Sequence, residues 1–257
     1  MAAQAGVGST PRLVSRLGGN VFPHIAKHGS RGEAVLRPST WTPHGKSYRP
    51  AEMGVADEGN APPTLCLGVM TKQQLTTQRL ILRPWRDSDA AALYEYAKNP
   101  NIGPAAGWPA HQSVEESLDV IRNVFNGPED YAITLAEDPD TAIGAISLKL
   151  AGDSDLFPAN DTTQAEMGFW IGEPFWGNGY VPEAARELLR HDFEDLNLTA
   201  IWCTYYEGNE KSARAQEKIG FEPVHVIPDT PVPLLHEMRT THANRMTRSR
   251  WQELQAC

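Results

Sequence analysis

The segment from residue 166 to residue 184 constrains the fold of this chain more than any other. It begins with the run EMGFWI, which is typical of a buried strand, and continues through a short loop that contains Gly177 and Gly179. Apolar residues at helical spacing then follow from Glu183 to Leu196. A strand, a tight glycine turn and a helix in this order predict a helix that packs on a sheet and begins where a strand ends.

The loop around Gly177 and Gly179 has the composition of an anion-binding turn. Helix N-termini expose unpaired backbone N–H groups and a partial positive charge, and glycine lets the backbone approach an anion closely. Two nucleotide-binding motifs are excluded, because the chain has no GxxxxGK[ST] sequence and GNGYVP lacks the third glycine of GxGxxG. From the glycines alone, a diphosphate site and an ordinary turn are both open.

Strand and helix patterns alternate from Met70 onward. Asp87 and Asp89 supply capping oxygens before the first helix, and Ser113 with Glu116 forms a capping box before the second. The predicted strands span residues 79–83, 131–136, 142–150, 165–171, 200–206, 221–226 and 236–246, with a turn at 138–140; the predicted helices span 91–99, 113–125, 183–196 and the segment from 209 to 220. Hairpins combined with one crossover predict an α+β fold in which about four helices flank a mixed central sheet.

The first 69 residues differ in composition from the rest of the chain. They are rich in Gly, Pro, Ser and Arg, and no stretch keeps a period of 2 or 3.6 long enough to bury a face. We predict a disordered extension over residues 1–69 and one domain over residues 70–257. The extension is either a basic, transit-like leader or translated sequence upstream of a start at Met70, and the lack of an amphipathic Arg-rich helix favours the second.

Charge and composition narrow the classes of partner. The formal net charge is −9, and residues 70–257 hold 16 Lys or Arg against 28 Asp or Glu. We expect a cytoplasmic protein that binds neither nucleic acid nor membrane, because an acidic domain repels phosphates and no apolar run approaches the length of a membrane span. Cys66, Cys203 and Cys257 form neither a CxxC pair nor a Cys/His cluster, which argues against a metal site.

Two short motifs carry a resemblance to a known family. Residues 176–184, WGNGYVPEA, are similar to the acetyl-CoA pyrophosphate loop of the GNAT N-acetyltransferases, in particular the branch related to RimJ and RimL. Asn209, Ser212 and the KIGF run at 218–221 resemble that branch's N-x-x-S…K-x-G-F segment. The resemblance covers residues 70–257 and implies the GNAT fold, with a mixed, mostly antiparallel sheet. Pro174 departs from the wider superfamily pattern, which has Gln or Arg three residues before the first loop glycine.

The resemblance also implies acetyl-CoA as a co-substrate and no metal. In the family, the strand that matches residues 166–171 diverges from the strand that matches residues 200–206, and the pantetheine arm lies between them. The residues expected to contact acetyl-CoA are Phe169, Trp170 and Ile171 through their amides, Trp176, Gly177, Asn178, Gly179, Tyr180 and Val181 around the diphosphate, and Asn209 and Ser212 near the thiol end.

Direct attack of an amine on the thioester requires a base for the ammonium and an acid for the departing thiolate. Glu166 is the candidate base, acting directly or through a water; the alternative is a polar strand residue that faces solvent. Ser212 is the candidate acid; the alternative is a hydroxyl that only caps the first helical turn. Trp108 and His111 are candidates for acceptor binding, although a Trp beside a Pro in a loop usually packs.

These expectations favour an N-acetyltransferase that transfers acetyl from acetyl-CoA to a primary amine in a ternary complex. The acceptor is either a protein N-terminal α-amine or a small molecule, and the enzyme is a monomer or a homodimer. A second hypothesis is a non-catalytic CoA-binding or regulatory module. A third is a nucleotide-binding α/β protein, which ATP or NAD rather than CoA would stabilise against melting.

Overall fold

The computed structural model describes residues 73–256, so the prediction of a disordered extension over residues 1–69 lies outside the described residues. Within the described part, eight strands form one sheet. They are β1 (Leu75–Thr76), β2 (Leu80–Pro84), β3 (Asp130–Leu135), β4 (Asp138–Lys149), β5 (Gln164–Ile171), β6 (Ala200–Tyr206), β7 (Glu222–Val232) and β8 (Glu237–Thr247).

The sheet is mixed and mostly antiparallel, which confirms the predicted fold class. Its strand order is β1-β2-β3-β4-β5-β6-β8-β7. Every neighbouring pair is antiparallel except β5 and β6, which a helical crossover that begins at Tyr180 joins in parallel. The parallel pair lies inside the sheet, between β4 and β8, and the helical crossover is the kind of connection that parallel strands require.

Six α-helices accompany the sheet in residues 73–256, two more than the sequence predicts. They are α1 (Ala90–Ala97), α2 (Gly103–Ala106), α3 (Val114–Asn123), α4 (Tyr180–Arg190), α5 (Glu210–Ile219) and α6 (Arg248–Gln255). Helix α2 is not predicted because Gly and Pro are poor helix formers, and α6 is not predicted because a polar tail has no apolar period. Thr247 caps α6, and Trp251 packs against Phe193 with ring centroids 5.4 Å apart.

Three boundaries differ from the prediction for local reasons. The β3–β4 turn lies at residues 136–137, and the predicted turn at 138–140 forms the start of β4. Helix α4 starts three residues early, because Gly179 adopts the left-handed conformation (φ 77°) and turns the chain directly into Tyr180. It ends at Arg190, and a π-helical turn over His191–Asp195 follows.

The two faces of the sheet carry separate apolar clusters. Met167 and Ile201 face a cluster that includes Leu188 of α4 and Ile219 of α5. Trp170 faces the opposite cluster, with side chains from α1 and α3. Because successive strand residues point to opposite faces, β5 supplies both clusters and ties the two helical layers together.

The π-helical turn after α4 buries a carboxyl group. Asp192 is 0% exposed, and neither of its carboxyl oxygens has a hydrogen-bond partner among the described residues. Burial, together with the nearby Glu129 carboxylate, raises the pKa of Asp192 well above its usual range. The folded protein therefore keeps this carboxyl group protonated where the unfolded chain ionises it.

We expect Asp192→Asn to stabilise the protein at neutral pH. The unfolded Asp ionises above about pH 4, so the stability of the wild type falls with rising pH by about 1.4 kcal/mol per pH unit until the raised folded-state pKa is reached. Urea unfolding should give equal free energies for the two proteins near pH 4 and a higher value for the variant near pH 7. A difference that is the same at both pH values would contradict the assignment.

Candidate functional site

Strands β5 and β6 separate before they end. Their parallel pairing runs from Gln164–Ala200 to Met167–Cys203 and then stops, although both strands continue. A cleft of about 330 Å³ opens between the separated ends, and the residues from Gly168 to Ile171 line one wall. The opposite wall comes from the end of β6 and from α5, and the β5–α4 loop closes one end.

The cleft is positively charged although the protein is acidic. Its charged lining residues are Lys211, Arg214 and Lys218, all on α5, and no Asp or Glu in residues 73–256 lines it. Nearly all the residues predicted to bind the cofactor line this cleft: Phe169, Trp170, Ile171, Trp176, Gly177, Gly179, Tyr180, Val181, Asn209 and Ser212. Asn178 belongs to the same loop but is not among the lining residues.

Unpaired backbone N–H groups converge at the N-terminus of α4. Within the described part of the chain, the N–H groups of residues 177–181 make no hydrogen bond, and Pro182 has no N–H to offer. Gly177 has φ 80°, and a Cβ built there would meet no heavy atom within 4 Å. Five free donors, a helix dipole and open space in front of a glycine form a site for an anionic group.

The exposed edge of β5 offers a second set of donors. Gly172 donates its N–H to Ile143 on the β4 side, whereas the carbonyl of Thr163 accepts from Thr199 on the β6 side. Because N–H groups alternate sides along a strand, those of Phe169 and Ile171 point into the cleft and that of Trp170 points to β4. Of the three amides expected to face the cofactor, the structure therefore directs two into the cleft.

An ion pair between residues 104 apart in the chain, which local sequence patterns do not reveal, supports the loop. Arg79 donates through Nε to Glu183 Oε2 at 2.7 Å and through Nη1 to the carbonyl of Asn178 at 3.1 Å. Thr77 donates to Glu183 Oε1 at 2.6 Å. Burial opposes ionisation of Glu183, but these hydrogen bonds outweigh it and lower the pKa of its carboxyl group. The contacts join the β1–β2 turn to the loop and the first turns of α4.

Trp176 connects the loop to both walls of the cleft. Its indole Nε1 donates to the carbonyl of Ile171 at 2.9 Å. The ammonium group of Lys211 lies 3.3 Å from the centroid of its ring. This cation–π contact spans from α5 to the loop and places a positive charge at the mouth of the cleft.

Asn209 and Ser212 have internal partners. Asn209 Oδ1 accepts from the N–H of Ser212 at 3.2 Å, which caps α5, and its Nδ2 donates to the carbonyl of Ala105 at 3.1 Å. Both functions of the Asn209 amide are therefore in use, and it joins α5 to α2. Ser212 Oγ accepts from Gln216 Nε2 at 3.1 Å, which leaves its hydroxyl proton free to donate toward the cleft.

Glu166 does not line the cleft and does not face solvent. It is 1% exposed, and its carboxylate accepts from Ser154 Oγ at 2.8 Å and lies 3.3 Å from Lys149 Nζ. Thr204 donates to its other oxygen at 3.1 Å, and Thr204 does line the cleft. The structure thus places a hydroxyl group between Glu166 and the cleft. Local sequence patterns do not reveal this link, because the two residues are 38 apart in the chain.

Trp108 and His111 lie outside the cleft lining. Trp108 is buried and packs edge-on against Trp170, with ring centroids 6.0 Å apart. His111 is also buried, its Nδ1 lies 2.8 Å from Ser117 Oγ, and burial lowers its pKa. The residues shortly before Trp108 that do line the cleft are Asn101, Ile102, Ala105 and Ala106.

Membrane-spanning helices and metal clusters are both missing from residues 73–256. No helix there is long and apolar enough to cross a membrane. In the same residues, no three or more His, Cys, Asp or Glu side chains are grouped so that they could hold a metal ion.

Comparison with known proteins identifies the family. The sequence profile described as "Acetyltransferase (GNAT) domain" matches residues 79–222. The chain is 30% identical over 148 residues to YnaD of Bacillus subtilis (strain 168), described as an uncharacterized N-acetyltransferase, and the match covers 57% of this chain and 81% of YnaD.

Two solved structures share the fold. The GNAT-family acetyltransferase from Bacillus anthracis superposes with a TM-score of 0.59 at 19% identity, covering 69% of this chain and 99% of that one. The microcin C7 self-immunity acetyltransferase MccE, solved with acetyl-CoA and AMP, superposes with a TM-score of 0.55 at 18% identity, covering 66% and 93%. With the profile match across more than half of its length, the chain belongs to the GNAT family of N-acetyltransferases.

Proposed function

We propose that this protein transfers the acetyl group of acetyl-CoA to a primary amine by direct attack in a ternary complex. One observation carries the proposal: the N–H groups of residues 177–181 are free, and four of these residues, all except Asn178, line a cleft whose only charged lining residues in the described chain are cationic. A diphosphate linked to an uncharged arm has the matching charge and shape. MccE, which shares the fold, was solved with acetyl-CoA bound.

The residues present fit each part of acetyl-CoA. The diphosphate would lie on the N–H groups of residues 177–181, with Lys211 and Arg214 nearby to offset its charge. The pantetheine arm would lie along β5 and accept from the N–H groups of Phe169 and Ile171, which have no partner on β6. The acetyl group would then reach the point where β5 and β6 separate.

In this reaction the amine nitrogen attacks the thioester carbonyl carbon, the C–S bond breaks, and the sulfur leaves as a thiol once it is protonated. We assign removal of the amine proton to a relay, in which Thr204 Oγ accepts that proton and passes its own to Glu166. The 3.1 Å hydrogen bond from Thr204 to Glu166 supports this order. Lys149 and Ser154 hold the Glu166 carboxylate in place.

Ser212 is our candidate for protonating the departing sulfur. Its Oγ lines the cleft near the N-terminus of α5, and Gln216 donates to it. A hydroxyl group that already accepts one hydrogen bond keeps its own proton to donate. Asn209, in contrast, would act by holding α2 against α5 and so would shape the acceptor side of the cleft.

Two sequence motifs bear on the class of acceptor amine. The WGNGYVPEA loop and the N-x-x-S…K-x-G-F segment favour the branch related to RimJ and RimL, and so a protein N-terminal α-amine or a small amine. Cytoplasmic location and a monomeric or homodimeric state stay predictions.

A non-catalytic CoA-binding module is the competing function, and a turnover assay separates the two. With acetyl-CoA and a panel of peptides and small amines, we expect free thiol to appear only when an acceptor amine is present. The released thiol is measured with a chromogenic thiol reagent, and the acetylated amine by mass spectrometry. Binding of CoA without turnover on any amine would favour the module.

We expect Gly177→Ala to raise the KM for acetyl-CoA about tenfold, which corresponds to about 1.4 kcal/mol of crowding against a phosphate. Gly152→Ala is the matched control, because Gly152 also has a positive φ (94°) and a Cβ at that position would also be uncrowded, but it does not line the cleft. Steady-state kinetics should show an unchanged KM in the control. Equal effects in both variants would assign the change to backbone strain and contradict the loop assignment.

We expect Thr204→Val and Glu166→Gln each to lower kcat about a hundredfold, the usual size of lost acid–base catalysis, with a small change in the KM for acetyl-CoA. Thr241→Val is the control, since the Thr241 hydroxyl is buried without a partner in residues 73–256 and lies outside the cleft lining. A wild-type kcat for Thr204→Val would exclude the proton relay through Thr204.

A further inference from the structure

A second concavity lies beside the cleft. It is lined by Gln78, Arg79, Gly179, Pro182, Glu183, Arg186 and Lys218. Three of these residues, Gly179, Pro182 and Lys218, also line the first cleft, so the two spaces meet at the N-terminal turns of α4. A ligand that occupies the diphosphate site can therefore extend a further group into this concavity.

The geometry of α4 and α5 aims two cations into this space. Gly179, Pro182 and Arg186 follow each other at helical spacing along one side of α4, so Arg186 lies about two turns beyond the glycine that carries the free N–H groups. Lys218 comes from the last turn of α5. Arg186 donates through Nη2 to the backbone carbonyl of Lys218 at 2.9 Å, which holds the Arg186 side chain against the last turn of α5.

The charge balance of the concavity is positive. Glu183 is its one carboxylate within the described residues, and the ion pair with Arg79 at 2.6 Å neutralises it. Arg186 and Lys218 have no carboxylate partner in residues 73–256. Two positive charges without a carboxylate partner in residues 73–256 therefore lie next to the proposed diphosphate site.

We propose that this concavity binds the 3′-phosphate of the CoA ribose, with Arg186 and Lys218 as its ligands. The inference rests on the proposed function, because it takes the diphosphate at the α4 N-terminus as its starting point. In CoA the diphosphate joins the 5′ carbon of the ribose, and the third phosphate sits on the 3′ oxygen of the same ring. A dianionic group is thus one sugar ring away from the diphosphate, and cations at that distance stabilise it.

The test compares CoA with dephospho-CoA, which lacks only the 3′-phosphate. Calorimetric titration of the wild-type protein should give a Kd for CoA about five- to tenfold lower than that for dephospho-CoA, the size expected for exposed charge pairs that act together. Arg186→Gln should weaken CoA binding and leave dephospho-CoA binding unchanged, because Arg186 lines this concavity and not the first cleft. Lys218→Gln should weaken CoA binding more than dephospho-CoA binding, because Lys218 lines both spaces. The preference of the wild type should also shrink at high salt, because these side chains are exposed.

Arg190→Gln is the matched control. It removes the same charge from the same helix, but Arg190 pairs with Glu187, Glu194 and Asp195 and lines neither space. This variant should keep the wild-type preference for CoA. Thermal melting of each variant verifies that the fold is intact.

The outcomes separate this inference from the proposed function. Equal affinity of the wild type for CoA and dephospho-CoA would overturn the 3′-phosphate site and leave the acetyltransferase proposal standing. Loss of affinity for both ligands in Arg186→Gln would also overturn it, since the side chain would then support the whole cofactor. Failure of the wild type to bind either ligand would remove both proposals.

Discussion

The site depends on the point where β5 and β6 stop pairing. Their hydrogen bonds end after the Met167–Cys203 pair, although both strands continue. A strand that loses a neighbour must leave its N–H groups free or give them to a ligand, because burying them unpaired is costly. The N–H groups of Phe169 and Ile171 face this gap, and the α4 N-terminus opens at its end, so backbone geometry alone forms an elongated polar slot with an anion site.

Charge placement adapts this slot to a polyanionic co-substrate in an otherwise acidic protein. The cations that line the cleft all come from α5, and the Glu183 carboxylate in the first turn of α4 pairs with Arg79. Glu183 therefore supports the loop without repelling an anion. Lys211, stacked on Trp176, brings α5 and the loop together across the cleft. The contacts that hold the loop in position therefore also set the charge of the cleft.

Much of the fold follows from local sequence patterns. Strand β6 has the predicted bounds, Ser113 caps α3, and α5 ends at Gly220 in the left-handed conformation that glycine favours. The misplaced β3–β4 turn shows the limit of such patterns, because Asp-Pro-Asp is typical of turns yet lies at the start of β4, where those residues are exposed. Sequence patterns do not predict α6, because it is stabilised by the packing of Trp251 against Phe193 and not by an apolar period of its own.

By itself, the sequence determined the strand–loop–helix unit around Gly177 and Gly179 and the family resemblance, since both depend on residues close together in the chain. Tertiary structure decided which side chains meet. It placed Trp108 and His111 outside the cleft lining, set Thr204 between Glu166 and the cleft, and paired Arg79 with Glu183 across 104 residues. Spacing along one helix or strand is fixed by local geometry, whereas contacts between distant segments depend on how the whole sheet and its helices pack.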